Sequence, residues 1–213
     1  MKDVLPLLFL PDPRFGAGRD RREMARSALR GGASSIQLRS KETMGEELVE
    51  EGRALGRICR EFGRPFIVND RVDVAVACGA DGVHLGPDDT PPREARGLLG
   101  PDALIGISAY GPEDLETARD IGAAYVAVGA VFQTDTKRIE TVGLDTLRKV
   151  REETDLPLVA IGGIGLSKVE DVVAAGADGV AVVSALSAAA DIEGAAAEFR
   201  ALIDKALARR ESR

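Results

Sequence analysis

Polar and charged side chains stand at the ends of short apolar runs, and their types define what they could do. Gln37-Leu38-Arg39-Ser40-Lys41 closes one run, and in an extended chain Gln37, Arg39 and Lys41 fall on one side, an amide beside two cations. Asn69-Asp70 closes the next, His84 leads to Asp88-Asp89, and Ser108 ends a further run. Thr134-Asp135-Thr136-Lys137, Gly162-Gly163 and Val183-Ser184 follow the last three. Two carboxylates, Asp70 and Asp89, with room for water and phosphate oxygens would suit Mg²⁺ better than zinc. Solvated loop acids or helix caps account for them equally well. Arg39, Lys41 and Lys137 around those acids would serve a polyanion shared with a metal, the alternative being a solvated charged rim. Gly162 and Gly163 would let backbone approach a ligand, and a helix start near Ser184 would offer free N–H donors, which together describe a phosphate site. The alternative is a tight turn alone.

These residues need elements to position them. The apolar runs are Val4–Leu10, Ser35–Leu38, Pro65–Val68, Gly82–Leu85, Leu104–Ile107, Tyr125–Val128, Pro157–Ile161 and Gly179–Val183. They are short and mostly aliphatic, as in strands buried on both faces. Helix-like segments lie between them: Arg21–Arg30, Met44–Glu61, Val72–Cys78, Pro91–Leu99, Pro112–Ile121, Gly143–Thr154, Ser167–Ala175 and Asp191–Ala208. Met44, Leu48, Leu55, Ile58, Cys59 and Phe62 form one apolar face, with Thr43 the expected N-cap and Glu46 completing a capping box. Pro112 and Ser167 open later helices. Gly79-Ala80-Asp81-Gly82-Val83 recurs as Gly176-Ala177-Asp178-Gly179-Val180, with Gly122-Ala123-Ala124-Tyr125-Val126 a looser copy, marking a repeated helix-to-strand turn.

Alternating strands and helices mean parallel strands with crossover connections. Eight units in 213 residues give about 27 residues each. The expected fold is α/β, a compact (β/α)₈ TIM barrel, with residues 1–213 a single domain; a doubly wound open sheet is the alternative. In such a barrel the working residues sit at the carboxyl ends of the strands, where the candidate residues of the first paragraph fall.

Composition sets limits. With 28 basic and 35 acidic residues the net charge is −7, which argues against nucleic acid or an anionic membrane surface as partner. Anionic ligands would then require positive charge gathered at one place. A single histidine rules out multi-histidine metal sites, and two cysteines, Cys59 and Cys78, are too few and too far apart for a Cys-rich zinc module. No apolar run is long enough to span a membrane and the start lacks a signal-peptide layout, so a reduced, cytoplasmic setting is expected.

Gln37-Leu38-Arg39-x-Lys41, Asn69-Asp70-Arg71, Gly82-Val83-His84-Leu85-Gly86-x-x-Asp89, Gly106-x-Ser108, Thr134-x-Thr136-Lys137 and Ile161-Gly162-Gly163-Ile164 together resemble the thiamine-phosphate synthase family, in order and over nearly the whole chain. The resemblance implies a (β/α)₈ barrel that joins hydroxymethylpyrimidine diphosphate to thiazole phosphate and releases pyrophosphate, with Mg²⁺ as cofactor. It assigns Gln37, Arg39, Lys41, Asn69 and Lys137 to the pyrimidine diphosphate, and Asp70 and Asp89 to Mg²⁺. Ser108 would contact the pyrimidine, while Thr134, Thr136, Gly163, Val183 and Ser184 would hold the thiazole phosphate. Arg39, Lys41 and Lys137 would stabilise the leaving group, the catalytic role the family implies. The chain departs from the pattern at Pro87, where Gln is usual, and at Ala130 and Gln133, where prolines are common. Rival readings are a thiazole tautomerase of the same superfamily, a barrel aldolase or sugar-phosphate isomerase with a Schiff base on Lys137, and a non-catalytic binder of thiamine precursors. Small-molecule substrates are the expected partners, and a homo-oligomer is left open.

Overall fold

The computed structural model describes residues 5–40, 43–134, 136 and 140–212. Eight parallel strands close into a barrel in sequence order: β1 Leu7–Phe9, β2 Ser35–Leu38, β3 Phe66–Asn69, β4 Gly82–Leu85, β5 Leu104–Ser108, β6 Tyr125–Val128, β7 Leu158–Ile161 and β8 Gly179–Val182. Leu7 of β1 pairs with Val180 of β8, which closes the ring. The helices are α1 Arg21–Arg30, α2 Gly45–Glu61, α3 Val72–Cys78, α4 Pro92–Leu99, α5 Pro112–Asp120, α6 Gly143–Glu153, α7 Val169–Ala174, α8 Ser184–Ser187 and α9 Ile192–Glu211. The expected (β/α)₈ TIM barrel is the observed fold.

Period-two alternation divides the core into two layers. Leu7, Phe9, Ile36, Leu38, Phe66 and Val68 face outward against the helices. Leu8, Leu10, Ile67, Tyr125, Ala127, Val159 and Ala181 form the smaller cluster inside the barrel. Gln37 lies between Ile36 and Leu38 and so shares the inward set, which is how a polar side chain comes to be only 2% exposed.

The repeated Gly-Ala-Asp-Gly turn has a structural explanation at the amino-terminal end of the barrel. Asp81 N–H donates to Phe66 O, and the Asp81 carboxylate accepts from Phe66 N–H at 2.8 Å. Asp178 makes the same double bond with Leu158. Ser34 does so with Leu7 through its hydroxyl, a third use that the sequence pattern did not reveal. Each pair satisfies the first N–H of the preceding strand, which otherwise has no ladder partner. The following glycine is required by close approach: a Cβ on Gly82 would lie 1.8 Å from Leu104 O, and one on Gly179 2.0 Å from Leu5 O.

Three local expectations are corrected. Thr43 does not cap α2; its N–H donates to Ser40 Oγ, and Met44 occupies the cap without a side-chain bond. Met44 is 68% exposed, so the buried face of α2 begins at Leu48. Before α7 the chain makes a 3-10 turn over Leu166–Lys168, and the one-turn helix α8 comes between β8 and α9. Pro112 does open α5, where Asp114 accepts from the N–H groups of Tyr110 and Gly111. Cys59 and Cys78 are free and buried. Burial pushes the Cys59 thiol up to about 12, so it stays protonated and inert. No helix among the described residues is long and apolar enough to cross a membrane.

Candidate active site

A cavity of about 580 Å³ opens at the carboxyl ends of the strands. Its floor is apolar, made by Leu8, Val159 and Ala181 from the inner core. Gln37, Arg39, Asn69, Asp70, Asp89, Ser108, Thr134, Thr136, Gly163, Val183 and Ser184 all line it, so the structure brings together every described residue expected there. Lys41 and Lys137 lie outside the described residues. In a closed ring of eight, β3 stands across from β7 and β4 across from β8. Asp70 and Asp89 therefore face Gly163 and Ser184 across one cavity.

On the acidic wall, Asp70 follows β3 with φ +65°, a left-handed conformation that Asp tolerates better than most side chains. Its N–H donates to His84 O at 2.8 Å, which ties the end of β3 to β4. Asp89 accepts the Gly86 N–H on Oδ2 at 2.7 Å and closes the turn after β4. Asp70 and Asp89 are thus set by backbone bonds on adjacent loops. Among the described residues no three His, Cys, Asp or Glu side chains group into a metal cage. Two carboxylates on a wall open to ligand oxygens nonetheless match how Mg²⁺ is usually held, by one or two carboxylates with substrate phosphates and water. Arg39 stands beside them, half-buried.

The opposite wall is built from backbone. The N–H groups of Gly163, Ile164 and Gly165 donate no hydrogen bond among the described residues, and all three residues line the cavity. The reason for the paired glycines is partly different from the one expected. A Cβ on Gly162 would lie 2.5 Å from the Ala130 Cβ, and one on Gly163 would lie 2.2 Å from Gln133 O. The glycines let the loop after β6 seat on the loop after β7, with Phe132 N–H donating to Gly162 O. That loop carries Thr134, whose Oγ1 accepts from Thr136 N–H at 3.3 Å and donates to Thr136 Oγ1 at 3.2 Å. Lys168 joins the two loops from outside, donating to Gly163 O at 3.0 Å with its ammonium 4.2 Å from the Phe132 ring centre.

Between the walls runs a polar row. His84 of β4, Gly106 of β5 and Tyr125 of β6 are register partners in one layer. Tyr125 fills the space above Gly106 and stacks on His84, ring centres 5.5 Å apart. The Tyr125 hydroxyl lies 3.1 Å from His84 Nδ1, and Ser108 Oγ lies 3.1 Å from Nε2. The neighbouring Gln37 amide draws the Tyr125 phenol down, but burial dominates and pushes it well above its ordinary value. Burial likewise holds the His84 imidazole down at about 4, against a smaller opposing pull from Asp89. His84 is therefore neutral at physiological pH, with both ring nitrogens engaged.

Tyr125 and Lys168 are the cavity-shaping residues that motif reasoning passed over. A glycine inside a strand signals close approach by another group, so Gly106 carried a clue to Tyr125. Lys168 has no comparable sequence signal, since its partners come from loops distant in the chain.

A family model described as thiamine monophosphate synthase matches residues 7–186. A thiamine-phosphate synthase of Moorella thermoacetica is 45% identical over 195 residues, covering 91% of this chain and 93% of that protein. One from Chloroflexus aurantiacus is 46% identical over 200 residues, covering 92% of each. The solved structure of a thiamine phosphate pyrophosphorylase from Pyrococcus furiosus superposes with a TM-score of 0.87 at 40% identity, over 97% of this chain and 98% of that one. Matches of this extent, joined to a barrel whose mouth gathers the motif residues, show that the chain belongs to the thiamine-phosphate synthase family of enzymes.

Proposed function

We propose that the protein joins hydroxymethylpyrimidine diphosphate to thiazole phosphate, forming thiamine phosphate and releasing pyrophosphate in a Mg²⁺-dependent reaction. The observation that carries this reading is the pairing of two different walls across one cavity: Asp70 and Asp89 with Arg39 on one side, suited to a metal-bound diphosphate, and on the other the N–H groups of residues 163–165, which donate no hydrogen bond among the described residues. A single phosphorylated substrate would need only one.

In this reaction the bond between the pyrimidine methylene carbon and the diphosphate oxygen breaks, and its electron pair leaves with pyrophosphate. The thiazole ring nitrogen supplies the pair for the new C–N bond. No protein nucleophile is required, which agrees with a neutral His84 occupied at both nitrogens. The protein's tasks are positioning the two rings over an apolar floor and offsetting charge on the leaving group. Arg39 would contact the diphosphate, with Lys41 and Lys137 assigned there by family resemblance; Asn69 and Gln37 lie on the same side of the barrel. Asp70 and Asp89 would hold Mg²⁺, which when bound neutralises charge on the diphosphate. Thr134, Thr136, Gly163, Val183 and Ser184 would hold the thiazole phosphate.

The deciding experiment supplies both substrates and Mg²⁺ to folded protein and assays thiamine phosphate and pyrophosphate together. Stoichiometric formation of both is expected. Absence of product would overturn the reading.

A further inference from the structure

The row through the barrel has two internally consistent proton orders. Either Tyr125 donates to His84 and His84 to Ser108, or both bonds run the other way. A neutral imidazole donates from one nitrogen and accepts at the other, so the order at one end dictates the order at the far end. We propose that Tyr125 and His84 are positioning residues that impose the first order, Tyr125 to His84 Nδ1 and His84 Nε2–H to Ser108, so that Ser108 faces the cavity as a hydrogen-bond donor.

Two hydroxyls compete to donate to the imidazole. A phenol is far more acidic than an aliphatic alcohol, so Tyr125 is the stronger donor and Ser108 Oγ the better acceptor. The neighbouring Gln37 amide draws the phenol down, the sense of effect that favours Tyr125 as the donor. Tyr125 is fully buried, so its end of the row is the less open to reversal by solvent. Ser108 is half-buried and lines the cavity, so its own proton is the one left to meet a ligand. Gly106 belongs to the device, because only the missing side chain there lets Tyr125 reach His84.

The consequence for substrate rests on the proposed synthase reading. A donor at Ser108 selects an acceptor, such as an unprotonated nitrogen of an aromatic ring, over an N–H at the same place. Discrimination of this kind is strong because a mismatched ligand leaves two donors facing each other.

The chain has one histidine, so ¹⁵N-histidine labelling gives a single imidazole and reads its tautomer directly. The substrate-free protein at neutral pH is expected to show His84 protonated at Nε2 only. An Nδ1–H form, a mixture or an imidazolium would overturn the proposal. Tyr125→Phe removes the donor to Nδ1 and is expected to produce mixed tautomers. It should also lower kcat/KM for the pyrimidine diphosphate about tenfold, with KM for the thiazole phosphate essentially unchanged. An unaltered tautomer in that variant would remove Tyr125 from the role. If Tyr125→Phe does not fold, the wild-type spectrum alone decides. The spectrum needs no substrate, so a failed synthase assay would sink the functional reading without touching the proton order.

Discussion

A Cβ added to Gly106 would lie 2.1 Å from Cζ of Tyr125, closer than any real contact allows. A full aromatic ring therefore occupies the place of a neighbour's side chain on the inner wall, and its hydroxyl reaches across to His84. Gly106→Ala should displace Tyr125 and cost about 1–3 kcal/mol of stability, the range for overpacking a tight core. Chemical denaturation of the variant tests this. Wild-type stability would show that Tyr125 has room to move.

Asp89→Asn keeps an oxygen that can accept the Gly86 N–H while removing the charge. Turnover should then need about tenfold or more Mg²⁺ to reach half its maximum, with the fold intact by circular dichroism. Loss of a charged oxygen ligand, the role proposed for Asp89, is worth at least that. Unchanged Mg²⁺ dependence would take Asp89 out of the metal site.

Lys168→Met removes the donor to Gly163 O but keeps an unbranched chain over Phe132. KM for the thiazole phosphate should rise about three- to tenfold, since one net hydrogen bond orienting the Gly163 peptide is lost. KM for the pyrimidine diphosphate should hold, and Lys168→Arg should recover most of the loss. Equal effects on both substrates would point to general loosening of the mouth instead.

Acid should weaken the protein through His84. Its imidazole sits at about 4 when folded, while the unfolded chain titrates near 6.5. Between those values the unfolded state binds the extra proton, so this contribution is complete above about pH 6.5 and declines as pH falls towards 4. The total loss is roughly 3 kcal/mol. Urea titrations across that window, on wild type and His84→Gln, isolate the term because other acid-sensitive groups are common to both. Parallel pH slopes would contradict it.

Asp178 offers the opposite kind of test, stability without chemistry. Its carboxylate accepts from Leu158 N–H at 2.9 Å, from Arg151 at 3.0 Å and from Arg210 at 2.5 Å, all at the amino-terminal end of the barrel. Asp178→Ala should lower stability by about 2 kcal/mol by stranding these donors. Activity per folded molecule, measured well below the melting temperature, should stay near wild type. A selective loss of activity would mean that this end communicates with the mouth.

Much of this molecule could be read along the chain. Strand runs such as Ser35–Leu38 and Gly82–Leu85 coincide with β2 and β4, because buried parallel strands leave short aliphatic runs bounded by turn residues. Helix starts were less legible. Thr43 and Glu46 have the letters of a capping box, yet Ser40 takes the Thr43 N–H, a local competition that spacing alone does not resolve. The extra turn α8 and the 3-10 turn before α7 are likewise invisible to periodicity, since three or four residues do not complete a period.

The site divides along the same line. Arg39, Asn69, Asp70, Asp89 and Ser108 could be placed at the mouth from sequence, because strand ends in a barrel of known order decide which residues face it. That Asp70 and Asp89 oppose Gly163 and Ser184 followed only when the ring closed, for opposition is a property of the circle and not of the chain. The row of Tyr125, His84 and Ser108 likewise required side chains of β6, β4 and β5 to meet. Residue type determined what each group could donate or accept. Tertiary structure alone decided which donor met which acceptor, because hydrogen bonds depend on distances of about 3 Å that no sequence separation encodes.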